Sequence, residues 1–160
     1  MQVKNNGVTL VYDAAGKGKL SYLFIHGVGA NREFFADIFH HLAKQGRVLN
    51  SDLRGHGESD KPDEPYLMET YADDLSCLVK ELKLDNIIVI GHSMGGYIAL
   101  EFAARHPTLV KGMILLDAWL FWTESALAFF AERLAELKSP QFKEHLRNLA
   151  DMRCLPTDRH

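Results

Sequence analysis

Five residues, Gly91-His92-Ser93-Met94-Gly95, join two stretches of opposite kind. Ahead of them Ile87-Ile88-Val89-Ile90 is an apolar β-branched run suited to a buried strand. Behind them Tyr97 to Arg105 is Ala-rich and helical in pattern. A chain that passes from strand to helix in so few residues needs a tight turn. Glycines on both sides let the two elements approach closely while serine occupies a strained apex. The spacing G-x-S-x-G in this setting exposes the Ser93 hydroxyl at the C-terminal end of a strand. It also aims the Met94 N–H at the place where an oxyanion would form. Ser93 is therefore the candidate nucleophile.

The rest of the chain alternates strand and helix signals. Val8 to Tyr12 reads as a strand, Asp13 to Gly18 as a turn, and Leu20 to Ile25 as a more apolar strand that runs into His26-Gly27-Val28-Gly29. Asn31 is placed to cap a helix whose residues Phe34, Phe35, Ile38, Phe39 and Leu42 share one face, with Gly46 at its end. Arg47 to Ser51 is a short strand leading into Asp52-Leu53-Arg54-Gly55-His56-Gly57-Glu58-Ser59. Tyr71, Leu75, Leu78, Val79 and Leu82 form the stripe of another helix. Beyond the Ser93 helix, His106-Pro107 marks a stop, and Val110 to Leu116 is a strand ending at Asp117. Trp119 to Leu137 and Phe142 to Leu149 read as helices. The pattern predicts an α/β fold, a mainly parallel sheet with helices on both faces.

Composition narrows the partners. The chain has 160 residues, 47% hydrophobic and 24% charged, enough for a real core. The net charge of −3 and the lack of a basic cluster argue against nucleic acid. No uncharged stretch approaches the ~20 residues of a membrane span. The polar N-terminus is unlike a signal peptide, and two cysteines suit a reducing compartment, so a cytoplasmic protein is expected.

Three motifs together resemble the α/β-hydrolase fold family: His26-Gly27-Val28-Gly29, the segment Asp52 to Ser59, and the Ser93 turn. Their order fits the family from near residue 8 to Asp117. The resemblance implies residues 1–118 as hydrolase core and 119–160 as the start of a helical cap. It implies a Ser-His-acid hydrolase needing no cofactor and no metal, with a small acyl compound as substrate. Backbone N–H groups of Val28 and Met94 would form the oxyanion hole. His26, Trp119 and Trp122 are candidates for the substrate pocket, and Phe121, Phe129 and Phe130 could join them. Another reading of His26 is a brace for the oxyanion loop. The Asp52–Ser59 loop reads as a structural turn, and His40-His41 lack partners at metal-ligand spacing. Cys77 reads as an inert, half-exposed thiol.

The family's order of serine, acid, histidine is only partly met. Asp117 has a partial claim as the acid, and His106, His145 and His160 are the histidines after Ser93. None of these follows a strand. The expectation is a C-terminally incomplete fold, silent as an isolated chain. Its last strand, Val110 to Leu116, would be an open edge that invites self-association or a swapped dimer. Serine at residue 93 argues against the family's dehalogenases and epoxide hydrolases, which use aspartate there. Ester, thioester and lactone hydrolysis lead. Carbon–carbon bond hydrolysis, cofactor-free haloperoxidase chemistry and a ligand-binding protein on a hydrolase scaffold stay open.

Overall fold

Residue alternation along three strands decides how the sheet is covered. In the computed structural model, which describes residues 1–118 and positions 124, 125, 127, 128, 131 and 132, neighbouring strand residues enter opposite cores. Leu23, Ile25, Leu49, Ile87 and Val89 enter a large cluster with Tyr71, Leu75, Leu78, Ile98 and Phe102. Phe24, Val48 and Ile90 enter a smaller one with Phe35 and Phe39. Successive Cβ atoms on a strand point to opposite faces, so runs apolar at every position must be buried on both sides.

The strands are β1 (Gln2–Asn5), β2 (Val8–Ala15), β3 (Ser21–Ile25), β4 (Arg47–Ser51), β5 (Ile87–His92) and β6 (Val110–Leu116). The helices are α1 (Ala36–Leu42), α2 (Met68–Glu81) and α3 (Met94–Arg105). Among the described residues the sheet order is β1-β2-β4-β3-β5-β6. β4, β3, β5 and β6 run parallel, while β1 and β2 are antiparallel to their neighbours. α1 covers one face; α2 and α3 cover the other. The chain divides into two compact units, Met1–Trp119 and Leu120–His160, and the sheet belongs to the first.

Two local expectations are corrected, and one strand is added to them. Asp13, Ala14 and Ala15 are strand, not turn, because each pairs with β4: Asp13 with Asn50, Ala14 with Leu49 and Ala15 with Val48. Strand β1 gave little apolar signal. It is set by the hairpin Asn6-Gly7, whose positive φ values of 48° and 87° match the Asn-Gly turn that suits twisted strands. The face assigned to Phe34, Phe35, Ile38, Phe39 and Leu42 also splits. Asn31 does cap, accepting from the Glu33 N–H, but it caps a 3₁₀ turn over Arg32–Phe35 that only then passes into α1. The tighter winding rotates Phe34 and Ile38 outward, leaving them 52% and 44% exposed, while Phe35 and Phe39 stay buried.

Among the described residues β6 lies at the sheet edge, with Met113, Ile114 and Leu116 exposed. No helix among the described residues is long and apolar enough to cross a membrane.

Candidate active site

The end of β5 and the loop after β3 meet at Ser93. Ser93 precedes α3 with φ 51° and ψ −119°, a region that residues bearing a Cβ rarely occupy. The turn is held from both sides: the Ser93 N–H donates to Leu116 O at 2.9 Å, and the Gly96 N–H donates to Ser93 O at 2.9 Å. Space excludes a side chain at Gly95 and leaves little room for one at Gly27. A Cβ at Gly95 would fall inside van der Waals contact of the Ile25 and His26 carbonyls. One at Gly27 would lie 3.0 Å from His92 Nδ1 and 3.1 Å from Ser93 Cβ. The loop after β3 therefore rests directly on the serine, which stays half-exposed.

Two backbone donors, one in this loop and one at the head of α3, have no partner among the described residues. Gly27 O accepts from the Ala30 N–H at 3.2 Å, closing a turn with Gly29 at φ 70°, and that turn leaves the Val28 N–H without an acceptor among the described residues. Met94 is the first residue of α3, so its N–H has no partner within the helix, and the positive end of the helix dipole adds to it. The Val28 side chain is exposed.

His26 is fully buried and presents no surface to a ligand, which corrects its placement in a substrate pocket. Its Nε2 accepts from the Leu53 N–H at 3.1 Å, so the ring proton sits on Nδ1, 2.9 Å from Gly27 O. His26 thus ties the loop after β3 to the loop after β4. Burial holds its imidazole below the ordinary value of 6.5, as do the neighbouring His56 and His92, against the raising effect of Gly27 O and Asp52.

The Asp52–Ser59 loop is filled with satisfied groups. Asp52 accepts from the Arg32 N–H at 2.7 Å and the Glu58 N–H at 2.8 Å, and it pairs with the Arg32 guanidinium. Burial pushes Arg32 down, but its bond to Glu58 and the charges of Asp52 and Asp13 outweigh this and raise it. Ser59 Oγ donates to Asp52 O at 2.7 Å and accepts from the Val11 N–H at 2.9 Å. Buried Arg54 forms a two-pronged pair with buried Asp74, at 2.5 and 2.7 Å, and Asn5 completes Asp74 at 2.8 Å. Hydrogen bonding to Asp74 raises Arg54 above its ordinary range.

Asp117 is exposed at φ 49°, one residue beyond the carbonyl that holds the Ser93 N–H. His106 belongs elsewhere: its Nε2 lies 2.6 Å from Ser76 Oγ. His41 Nε2 contacts Gln45 Nε2 at 3.1 Å, and the described residues hold no cluster of three metal-ligating side chains. Cys77 is half-buried; burial raises its thiol, keeping it protonated and unreactive. Trp119, Phe121, Trp122, Phe129, Phe130, His145, His160 and the helices expected beyond residue 118 lie outside the described residues. The sequence reading missed the stack of Phe34 on His92, whose ring centroids are 4.4 Å apart at 26°. No periodicity could have revealed it, because the helical stripe assigned Phe34 to the core.

A family profile described as alpha/beta hydrolase fold matches residues 23–153. The AB hydrolase superfamily protein YisY of Bacillus subtilis is 42% identical over 113 residues, covering 69% of this chain and 42% of that protein. The sn-1-specific diacylglycerol lipase ABHD11 of Danio rerio is 36% identical over 140 residues, 83% of this chain and 44% of that protein. The chain thus spans less than half the length of these curated relatives. Among solved structures, a thermophilic esterase from Thermogutta terrifontis has a TM-score of 0.76 at 30% identity, covering 89% of this chain and 54% of that one. Est816, described as an N-acyl homoserine lactone degrading enzyme, has a TM-score of 0.74 at 30% identity, covering 95% and 63%. With the profile matching most of its length and the sheet order and Ser93 turn as described, the chain belongs to the α/β hydrolase fold family.

Proposed function

We propose that Ser93 is the nucleophile of a hydrolase acting on an ester, thioester or lactone of a small, largely apolar acyl compound. One observation carries the reading: a half-exposed serine, held at φ 51° at the head of α3, with the Gly27 loop seated against its Cβ. In this reading Ser93 Oγ adds to the substrate carbonyl while its proton passes to a base. The carbonyl π electrons move to oxygen, where the Val28 and Met94 N–H groups receive the charge; one such donor is typically worth about 10²–10³ in kcat. Collapse expels the alcohol, thiol or ring hydroxyl with the proton, and water then cleaves the acyl-enzyme. Neighbours named as an esterase and a lactone-degrading enzyme support this substrate class. The base is assigned outside residues 1–118, since His26 is locked in the fold and His106 bonds to Ser76; Asp117 keeps its partial claim as the acid.

The test uses the full-length product of the gene. It should hydrolyse an activated aryl ester and take up a fluorophosphonate on the Ser93 peptide, and Ser93→Ala should lower kcat by up to about 10⁶, as in a comparable triad. Turnover unchanged in a folded Ser93→Ala variant would overturn the assignment. Absence of both turnover and labelling would favour a ligand-binding protein on this scaffold.

A further inference from the structure

We propose that His26 is a positioning residue for the reaction: its Nδ1–H, fixed there by the loop after β4, turns the Gly27–Val28 peptide so that the Val28 N–H serves the oxyanion. The proposal rests on the reading of Ser93 as nucleophile and of Val28 as an oxyanion donor. It adds the group that orients that donor.

A neutral imidazole has one donor and one acceptor nitrogen. The Leu53 N–H can only donate, and it claims His26 Nε2 as acceptor at 3.1 Å. The ring proton is thereby forced onto Nδ1, 2.9 Å from Gly27 O. That oxygen also accepts from the Ala30 N–H at 3.2 Å, so both of its lone pairs are engaged. Gly27 O and the Val28 N–H belong to one planar trans peptide, in which C=O and N–H point in opposite directions. Holding the oxygen toward the fully buried His26 ring therefore turns the N–H away from it. Such a hold is needed here, because a peptide that follows glycine rotates with little steric resistance. The Ala30 bond lies within the loop itself, whereas His26 ties the same oxygen to a neighbouring loop. Two donors on the oxygen also polarise the peptide and strengthen its N–H as a donor. The Gly27 backbone borders the serine, since a Cβ there would lie 3.1 Å from Ser93 Cβ. The loop after β4 thus acts on the reaction at a distance, by setting the tautomer of His26.

Two amide replacements separate the two bonds of the ring. In His26→Asn the side-chain nitrogen falls near the place of Nδ1 and keeps a donor for Gly27 O, but nothing reaches the Leu53 N–H. In His26→Gln the longer side chain offers its oxygen to the Leu53 N–H and leaves Gly27 O with the Ala30 bond alone. The full-length gene product is assayed on p-nitrophenyl butyrate. Its inhibition by hexyl trifluoromethyl ketone, whose serine adduct carries the oxyanion, is compared with inhibition by hexyl methyl ketone, which resembles the ground state. His26→Gln should lower kcat/KM and trifluoromethyl ketone affinity together, by up to about 10²–10³, the worth of one oxyanion donor. Its methyl ketone affinity should stay within about twofold, which a general loosening of the fold would not allow. His26→Asn should unfold at lower denaturant yet keep kcat/KM near wild type. A Gln variant as active as wild type, or one that loses both ketones equally, overturns the proposal. The crystal structure of His26→Gln decides independently of whether the Asn variant folds. A rotated Gly27–Val28 peptide supports the proposal; a peptide kept in its present orientation overturns it, whatever the kinetics. If turnover proves independent of Ser93 or absent, the reading of Ser93 fails, and that structure alone judges whether His26 orients the Val28 N–H.

Discussion

Two loops leave the same end of the sheet, after β4 and after β5, and they treat their side chains in opposite ways. In the loop after β4, Asp52, Arg54, His56 and Ser59 all have polar partners, and three of these four are fully buried or nearly so. At the end of β5 and the turn after it, Ser93 stays half-exposed at positive φ with no side-chain cap, and His92 Nδ1 has no hydrogen-bond partner among the described residues. A satisfied loop can only contribute rigidity. A strained turn with unused groups is poorly explained by stability, and such departures concentrate where chemistry is done. The difference fits the proposal above, in which the first loop gives support and the second carries the nucleophile.

Breaking the support should give the largest stability effect. Asp74→Ala strands the buried Arg54 guanidinium, and losing one partner of a buried pair typically costs about 3–5 kcal/mol. Denaturant unfolding should show that loss as a lower midpoint. The double replacement Arg54→Met with Asp74→Leu should recover most of it, because neither charge is then left buried alone. Equal loss in both variants would mean that backbone packing, not the ion pair, holds the loop.

The same contrast explains what could be read from the sequence. Runs such as Ile87–Ile90 and the stripe from Tyr71 to Leu82 were legible because burial selects one residue class at a fixed period. Ser93 was legible because strand, turn and helix are contiguous. The ties of His26 to Leu53, of Arg32 to Asp52 and of Arg54 to Asp74 were not, since each joins residues 20 or more apart and depends on which strands become neighbours. Asp13 to Ala15 were misjudged because pairing with β4 outweighs the weak strand preference of Asp and Ala. Phe34 was misjudged because a single 3₁₀ turn changes the phase of everything read as one helix.

His26 ties the loop after β3 to the loop after β4, and its burial makes that tie sensitive to acid. Its pKa is lowered in the folded state, so below 6.5 the unfolded chain binds the proton more readily than the folded protein does. Stability from this group is complete above pH 6.5 and declines as pH falls toward the folded pKa, with a slope approaching about 1.4 kcal/mol per pH unit. Asp52, His56 and His92 all act on the same ring, so the measurement is a difference. Unfolding free energy from pH 7.5 to 5 should fall less steeply in His26→Gln than in wild type. Parallel curves would show that His26 protonates freely in the fold and that its bond from Leu53 is dispensable.

The smallest effect tests the strain directly, through one substitution made in both loops. Ser93→Gly removes the Cβ at φ 51°, a conformation that costs a residue with a side chain roughly 1–3 kcal/mol. Glycine occupies that region freely but gives back about 0.5–1 kcal/mol through its more flexible unfolded chain. The net expectation is stabilisation by about 1 kcal/mol, a rise of a few degrees in Tm. Ser93→Ala keeps the Cβ and should not share the rise. Ser59→Gly should do the reverse, because the lost hydroxyl bonds both Asp52 O and the Val11 N–H, and leaving buried backbone groups unpaired costs about 1–3 kcal/mol. Opposite signs for one chemical change at two serines would confirm that the turn after β5 holds strain that its neighbour does not. If Ser93→Gly and Ser93→Ala unfold at the same temperature, the turn is relaxed, and the reactive character assigned to it must rest on the free N–H groups of Val28 and Met94 alone.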